Sequence, residues 1–153
     1  TIYNLGSINI DHVYRLTALP RAGETISSLD YSLGLGGKGA NQSVAAARAG
    51  VAVEHLGAMG PGDGWVLEKL AEAGVGTGGI ARLPGVATGH AIILVDDSGE
   101  NSIILHGGAN HALPADLPAR DLAGIGPGDI LMLQNETNLQ AEAAAMRVPP
   151  APA

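Results

Sequence analysis

The chain has 153 residues, with 8 basic and 15 acidic residues, a net charge of −7, and no cysteine or phenylalanine. This length is enough for one domain, whose core must be built from Ala, Val, Leu and Ile because aromatic residues make up only 3% of the sequence. The excess of acidic residues argues against a nucleic-acid partner. The absence of cysteine excludes disulfides and thiolate metal sites. No apolar run predicts a membrane span or a signal peptide.

Short apolar runs alternate with helix-forming runs along the chain. Strands are predicted at residues 2–8, 51–59, 88–95, 101–105 and 130–133, and helices at 40–49, 65–73 and 139–146. Residues 25–33 are typical of a weak strand or a mobile flap, and the turn residues at 96–99 predict a hairpin. Gly50 and Gly74 each end a predicted helix. This alternation predicts an α/β fold with a mostly parallel sheet flanked by helices.

A glycine-rich segment, Gly34-Leu-Gly-Gly-Lys-Gly39, leads into the first predicted helix. It does not fit a Walker-type phosphate loop, because that pattern needs a glycine where Ser32 stands and a hydroxyl where Gly39 stands. It does fit the spacing of the dinucleotide fingerprint, although the preceding residues are polar and Glu54 lies inside a strand rather than at its end. A dinucleotide-binding oxidoreductase using Gly34 to Gly39 is therefore kept as an alternative.

A third interpretation of this segment is a site for a polyhydroxyl ligand. Glycines let the backbone approach a ligand closely, and the N–H groups at a helix start are available as donors. Lys38 and Asn41 add further donors and one acceptor, which is the mixture that a sugar needs. The competing interpretation is a tight turn with a solvated Lys38, and the segment alone leaves both open.

Five separated segments resemble, in order and spacing, the motifs of the ribokinase-like (PfkB) carbohydrate kinases. They are Gly6-Ser-Ile-Asn-Ile-Asp11, Pro20-Arg-Ala-Gly-Glu-Thr25, Gly36-Gly-Lys-Gly-Ala-Asn-Gln42, Gly107-Gly-Ala-Asn110 and Leu133-Gln-Asn-Glu136. The resemblance implies that residues 1–153 form the N-terminal portion of one ribokinase-like domain, in which residues 12–34 and 88–106 contribute strands of a small lid or hairpin. It also implies a cytoplasmic enzyme that transfers phosphate from ATP to a furanose sugar, of which ribose is the favoured one. Mg²⁺ would assist the transfer, and a monovalent cation could also bind.

The resemblance assigns sugar-binding roles to six residues: Asn9, Asp11, Gly37, Lys38, Asn41 and Glu136. The residues themselves support one part of this, because Asn9 and Asp11 are two apart on a strand and so point to the same side. Taken alone, they also fit an ordinary polar turn, and Glu136 fits a solvated acid after a strand. The family's lid often pairs with a second subunit, so the resemblance further implies a homodimer.

The family's catalytic segment, Asp-x-x-Gly-Ala-Gly-Asp, is absent from the chain. Gly60-Pro-Gly-Asp63 and Gly126-Pro-Gly-Asp129 are similar but carry Pro where that loop needs an N–H donor, so both are interpreted as turns. No catalytic base, nucleotide site or metal site is assigned, and the 153-residue chain is predicted to be inactive alone. A non-catalytic sugar-binding remnant is the second hypothesis. The proline-rich residues 148–153 are predicted to be neither helix nor central strand.

Overall fold

The computed structural model describes residues 1–149, which form two four-stranded sheets with helices packed on one of them. The elements in chain order are β1 (Ile2–Leu5), β2 (Asn9–Arg15), β3 (Asp30–Gly36), α1 (Lys38–Arg48), β4 (Val53–Met59), α2 (Gly64–Glu72), β5 (Val75–Arg82), β6 (Gly89–Val95), β7 (Asn101–His106), α3 (Ala109–Ala112), α4 (Leu117–Asp121), β8 (Ile130–Leu133) and α5 (Leu139–Ala145). Residues 148 and 149 lie outside helices and strands, as predicted, and the same prediction for 150–153 lies outside the described residues.

The first sheet is entirely parallel, in the order β5-β4-β1-β8. Its strands alternate apolar side chains between two faces, and each face has its own core. Val53 and Met59 of β4 face α1 and α2, whereas Leu56 and Ala58 of the same strand face α3, α4 and α5. The predicted α/β class, with a parallel sheet flanked by helices, is confirmed.

The second sheet has the order β3-β2-β6-β7, and it is mixed. Its central strands β2 and β6 are parallel, and each edge strand is antiparallel to its neighbour. The predicted hairpin is confirmed as β6 and β7. The second sheet draws on both of the ranges expected to form a lid, 12–34 and 88–106, and its action as a lid stays a prediction.

The first predicted strand, at 2–8, is in fact two strands in two sheets. β1 ends at Leu5, and the chain crosses to the second sheet before Asn9 begins β2. The break has a physical cause, because the N–H and C=O of Ile8 bond to the Asn110 side chain instead of to a strand. Asn9 and Asp11 therefore lie at the start of β2 rather than at the end of the first strand.

Other differences concern glycines and short elements. Gly34 and Gly36, expected in a loop, belong to β3, and β5 was not predicted because three glycines interrupt it. A Cβ at one of them, Gly79, would lie 2.2 Å from Cδ2 of Leu56, which is only 2% exposed, so a small residue is needed there. The four- and five-residue helices α3 and α4 were also missed. Within residues 1–149, no helix is both long enough and apolar enough to cross a bilayer.

Candidate functional site

A cleft of about 280 Å³ lies between the second sheet and the N-terminus of α1. The residues that line it include all six that the resemblance assigns to a sugar: Asn9, Asp11, Gly37, Lys38, Asn41 and Glu136. Four apolar residues of β6 and β7 complete the wall: Ala91, Ile93, Ile103 and Leu105. The fold thus brings polar residues from three separate motifs to one cleft, beside a hydrophobic surface.

Asn9 and Asp11 enter the cleft from the same face of β2. The backbone of Asp11 pairs with Gly34 of the neighbouring strand, and its carboxylate lies over Gly36, where a Cβ would be only 2.2 Å away. Burial raises the pKa of Asp11, and the charge of His12 beside it acts in the opposite direction. No hydrogen bond to the Asp11 carboxylate is found within residues 1–149, so its oxygens are available to accept from a ligand.

Glu136 follows β8 by three residues and is held by two donors. Lys38 Nζ donates to its Oε1, and the Ser7 hydroxyl donates to its Oε2 at 2.9 Å. Burial raises the pKa of Glu136, but the hydrogen bonds from Lys38 and Ser7 outweigh it and leave the pKa below its usual value. The Lys38 side chain is 74% exposed, so the ion pair contributes little to stability and mainly orients charge toward the cleft.

The glycine-rich segment is a strand end and a sharp turn rather than a loop. Gly37 alone separates β3 from α1, with φ at +92°, and a Cβ on it would lie 2.7 Å from the Ser7 carbonyl oxygen. The expectation that the N–H groups at the helix start are available for a ligand is wrong for two of them. Gly39 N–H donates to Ser7 Oγ at 3.4 Å, and Ala40 N–H donates to Ser7 O at 3.0 Å.

At residues 34–39, the structure does not have the strand-loop-helix arrangement that a dinucleotide fingerprint requires. That fingerprint requires a strand, a glycine loop and a helix within one parallel unit. Here β3 pairs antiparallel with β2 in the second sheet, and the next strand, β4, lies in the first sheet. Gly34 and Gly36 are ladder residues of β3, so they do not form a phosphate-binding turn.

A buried polar network supports the cleft from behind. Asn4 Nδ2 donates to the Gly39 carbonyl and to Ser43 Oγ, both at 2.8 Å. Ser43 Oγ is 2.8 Å from His55 Nδ1, and His55 Nε2 is 3.2 Å from the Gly6 carbonyl oxygen. Since that carbonyl only accepts, His55 carries a proton on Nε2. Burial lowers the pKa of His55 to about 4, so at neutral pH the ring is neutral and Ser43 donates to Nδ1. The network fastens the first turn of α1 to β1 and β4.

Sequence reasoning missed the residues that hold the site residues in place. Ser7 and Asn110 lie within quoted motifs, yet nothing in their spacing showed that each is only 2% exposed. Asn4 and His55 are polar positions inside apolar strands, and both are completely buried. A polar residue inside a strand that is otherwise buried is the one signal that could have found them, because such a group needs a partner.

The two sequences that resemble the family's catalytic loop are turns, as predicted. Asp63 precedes α2 and accepts from the Thr88 hydroxyl at 2.5 Å, and Asp129 accepts from Gly126 N–H at 3.0 Å. Within residues 1–149, no group of three His, Asp or Glu side chains is arranged to hold a metal ion. The Mg²⁺ implied by the resemblance therefore finds no set of protein ligands in the described part of the chain.

A second cavity, of about 320 Å³, lies against the opposite face of the second sheet. His12, His90 and Trp65 help to line it, and its one carboxylate, Asp63, already accepts from Thr88. Polar groups do not converge there as they do in the cleft, so the cleft is the stronger candidate.

Comparison with known proteins identifies the family to which this arrangement belongs. A family model described as "pfkB family carbohydrate kinase" matches residues 2–146. The chain belongs to the pfkB family of carbohydrate kinases. The ribokinase of Haemophilus influenzae is 38% identical over 150 residues, which cover 97% of this chain and 49% of that protein.

Solved structures of pfkB-family relatives share the fold. The ribokinase of Cryptococcus neoformans, crystallised with ADP, is 41% identical with a TM-score of 0.79, over 96% of this chain and 44% of that one. The ribokinase of Arabidopsis thaliana, complexed with ribose and ATP, is 30% identical with a TM-score of 0.74, over 96% of this chain and 50% of that one. The chain spans about half the length of the curated relatives it matches, so its fold is a partial one.

We expect the substitution Ser7→Ala to raise the pKa of Glu136, because the hydroxyl donor to Oε2 is lost while the carboxyl stays partly buried. Carbon-detected NMR titration of the Glu136 carboxyl measures this directly. Ser102→Ala, at an exposed position of β7, is the matched control and should leave the titration unchanged. An identical midpoint in wild type and Ser7→Ala would show that Ser7 does not hold the carboxylate.

Proposed function

We propose that this chain is the sugar-binding part of an ATP-dependent carbohydrate kinase that phosphorylates a furanose, ribose first. The observation that carries the proposal is the convergence on one cleft of two carboxylates, Asp11 and Glu136, with the Lys38 ammonium and the amides of Asn9 and Asn41. The relatives support it, since several are ribokinases and one was crystallised with ribose and ATP.

The cleft residues divide into acceptors, donors and an apolar wall. Asp11 and Glu136 accept from sugar hydroxyls, and Lys38 and Asn41 donate to sugar oxygens. The wall formed by Ile93, Ile103 and Leu105 packs against the C–H surface of the ring. Together these contacts hold the sugar in one orientation, which is how binding residues accelerate a transfer between two substrates.

Phosphoryl transfer itself needs groups to which we assign no residue in the described part of the chain. A base must take the proton of the attacking hydroxyl, and donors or cations must stabilise the charge on the transferring phosphoryl. We propose that the base, ATP, Mg²⁺ and any monovalent cation occupy a part of the kinase that these residues do not include. The length of the relatives, about twice that of this chain, supports this arrangement.

Binding and catalysis are tested separately on the 153-residue chain. At a D-ribose concentration 100 times its Kd, the melting temperature should rise by about 5–10 °C, while NAD should produce no rise. Incubation with ATP, Mg²⁺ and D-ribose should yield no ribose phosphate. Stabilisation by NAD and by no pentose would refute the sugar site, and robust phosphorylation by the chain alone would refute the predicted inactivity.

The coding sequence downstream of Ala153 separates the kinase from the remnant. An in-frame Asp-x-x-Gly-Ala-Gly-Asp would restore the family's catalytic segment, whereas a stop codon would favour a non-catalytic sugar-binding protein. The remnant stays a candidate because the chain lacks that segment.

We further propose that the second sheet acts as a lid over the cleft and pairs with a second subunit in a cytoplasmic homodimer. Ile103, Ile104 and Leu105 of β7 are 56–61% exposed, and Leu33 of the opposite edge strand is 48% exposed. Exposed apolar residues on both faces of one sheet favour a protein interface. Sedimentation equilibrium tests this, because Ile104→Lys should shift a dimer to monomer, and a monomeric wild type would refute it.

A further inference from the structure

We propose that Asn110 is a positioning residue that fixes the side-chain amide of Asn9, so that Asn9 presents its Nδ2 group, and not its Oδ1, to the cleft. The inference deepens the proposed function and rests on the cleft being the sugar site. It assigns a role to a residue that does not itself line the cleft.

The orientation of the Asn110 amide is determined by backbone groups of known polarity. Ile8 N–H donates to Asn110 Oδ1 at 2.9 Å, and Asn110 Nδ2 donates to the Ile8 carbonyl at 3.0 Å. A backbone N–H can only donate and a carbonyl oxygen can only accept. Reversing the Asn110 amide would place like groups together and would lose both bonds, so only one orientation fits.

This orientation propagates to Asn9. Asn110 Nδ2 also donates to Asn9 Oδ1 at 2.8 Å. The oxygen of Asn9 is therefore turned toward Asn110, and its Nδ2 points away from that contact. Because Asn9 lines the cleft, its two amide protons become the donors that a ligand meets.

The contact has no room to rearrange. Asn110 is 2% exposed and Asn9 is 7% exposed. Gly89 lies beside both side chains, and a Cβ on it would be 2.2 Å from Asn110 Nδ2 and 2.5 Å from Asn9 Oδ1. Residue 89 therefore has to be a glycine. Asn110 is also tied through its carbonyl, which accepts from Asn138 N–H at 3.1 Å. Such a residue holds its neighbour in one rotamer without meeting the ligand.

The consequence is a fixed order of hydrogen-bond donors and acceptors along the cleft face of β2. Asn9 offers donors, and Asp11, two residues further on the same face, offers acceptors. A ligand must then accept at the first position and donate at the second. A hydroxyl-bearing ligand can satisfy both, since each hydroxyl donates one bond and accepts others.

The test is a double-mutant cycle on D-ribose affinity, measured by calorimetry with the 153-residue chain. Asn110→Asp keeps the acceptor for Ile8 N–H but removes the donor to Asn9 and to the Ile8 carbonyl, so the affinity should fall about tenfold. The same substitution in an Asn9→Ala background should have almost no further effect, because the amide it positions is gone. Asn101→Asp, the same chemical change at an exposed residue of β7, should leave affinity unchanged.

Equal losses from Asn110→Asp with and without the Asn9 amide would overturn the inference, since they would mark a purely structural role. A wild-type chain that binds neither D-ribose nor 2-deoxyribose would instead defeat the proposed function. In that case, or if Asn110→Asp does not fold, NMR of the wild-type side-chain amides decides. The Asn110 Nδ2 protons should be protected from solvent exchange and those of Asn9 should not, and the reverse pattern would overturn the proposal.

Discussion

The free energy of unfolding should fall by about 3 kcal/mol as the pH is lowered from 6.5 to 4, because of one histidine. His55 is completely buried, and this burial lowers its pKa from 6.5 to about 4, against the opposing hydrogen bond to the Gly6 carbonyl. Between these two values the unfolded chain binds a proton that the folded chain does not. The slope therefore reaches about 1.4 kcal/mol per pH unit in the middle of that window, falls to about half at each end, and disappears about one unit above pH 6.5.

Urea unfolding at pH 5, 5.75, 6.5 and 7.5 measures this slope. Glu136, whose lowered pKa starts from 4.5, loses its contribution mainly below that pH, so the range from 5 to 6.5 reports on histidine. The His55→Gln chain should be less stable at pH 7.5, yet its slope between pH 5 and 6.5 should be flatter than that of wild type. His111→Gln, at an exposed position, is the control and should keep the wild-type slope. Equal slopes in His55→Gln and wild type would contradict the assignment.

The Gly39→Ala substitution should destabilise the chain by about 3 kcal/mol, although alanine is the better helix former. A Cβ at residue 39 would lie 2.5 Å from the carbonyl carbon of Gly6 and the nitrogen of Ser7, and backbone atoms cannot rotate away. The helix start and β1 would have to separate, which would break the contacts of Ser7 with α1.

Gly64→Ala is the matched control, since Gly64 is the first residue of α2 and no heavy atom lies within 4 Å of its added Cβ. This variant should be as stable as wild type or up to about 1 kcal/mol more stable. Thermal or urea unfolding of both variants is sufficient. Similar stabilities for Gly39→Ala and Gly64→Ala would show that β1 and α1 are not packed as closely as described.

The parts of the fold that the sequence predicted are those with local signals. The helix α1 and the hairpin of β6 and β7 are marked by composition and turn residues within a few positions. β5 was missed because it is interrupted by glycines, of which Gly79 packs against the buried Leu56. The break after Leu5 was missed because it depends on Asn110. Both causes are tertiary contacts, which a window of neighbouring residues does not contain.

The candidate site shows the same division. The six cleft residues were assigned by resemblance, and the structure gathers them in one place. Ser7 and Asn110 escaped because their partners are distant in sequence: Ser7 and Glu136 are 129 residues apart, and Asn110 and Asn9 are 101 apart. Which buried polar side chain faces which partner is decided by the fold, so pattern alone could not assign their roles.

The order of strands in the first sheet also bears on how the chain is made. β1 lies between β4 and β8, and Ile2 pairs with both Val53 and Ile130. At about 5–20 residues per second of synthesis, roughly 6–25 s separate the emergence of β1 from that of β8. During that interval β1 has a neighbour on one side only, and Ser7 has no Glu136 to bind. The cleft is therefore completed only after residue 136 has emerged, and a nascent chain released earlier would have both the sheet and the helix start but would lack the carboxylate that accepts from Lys38 and Ser7.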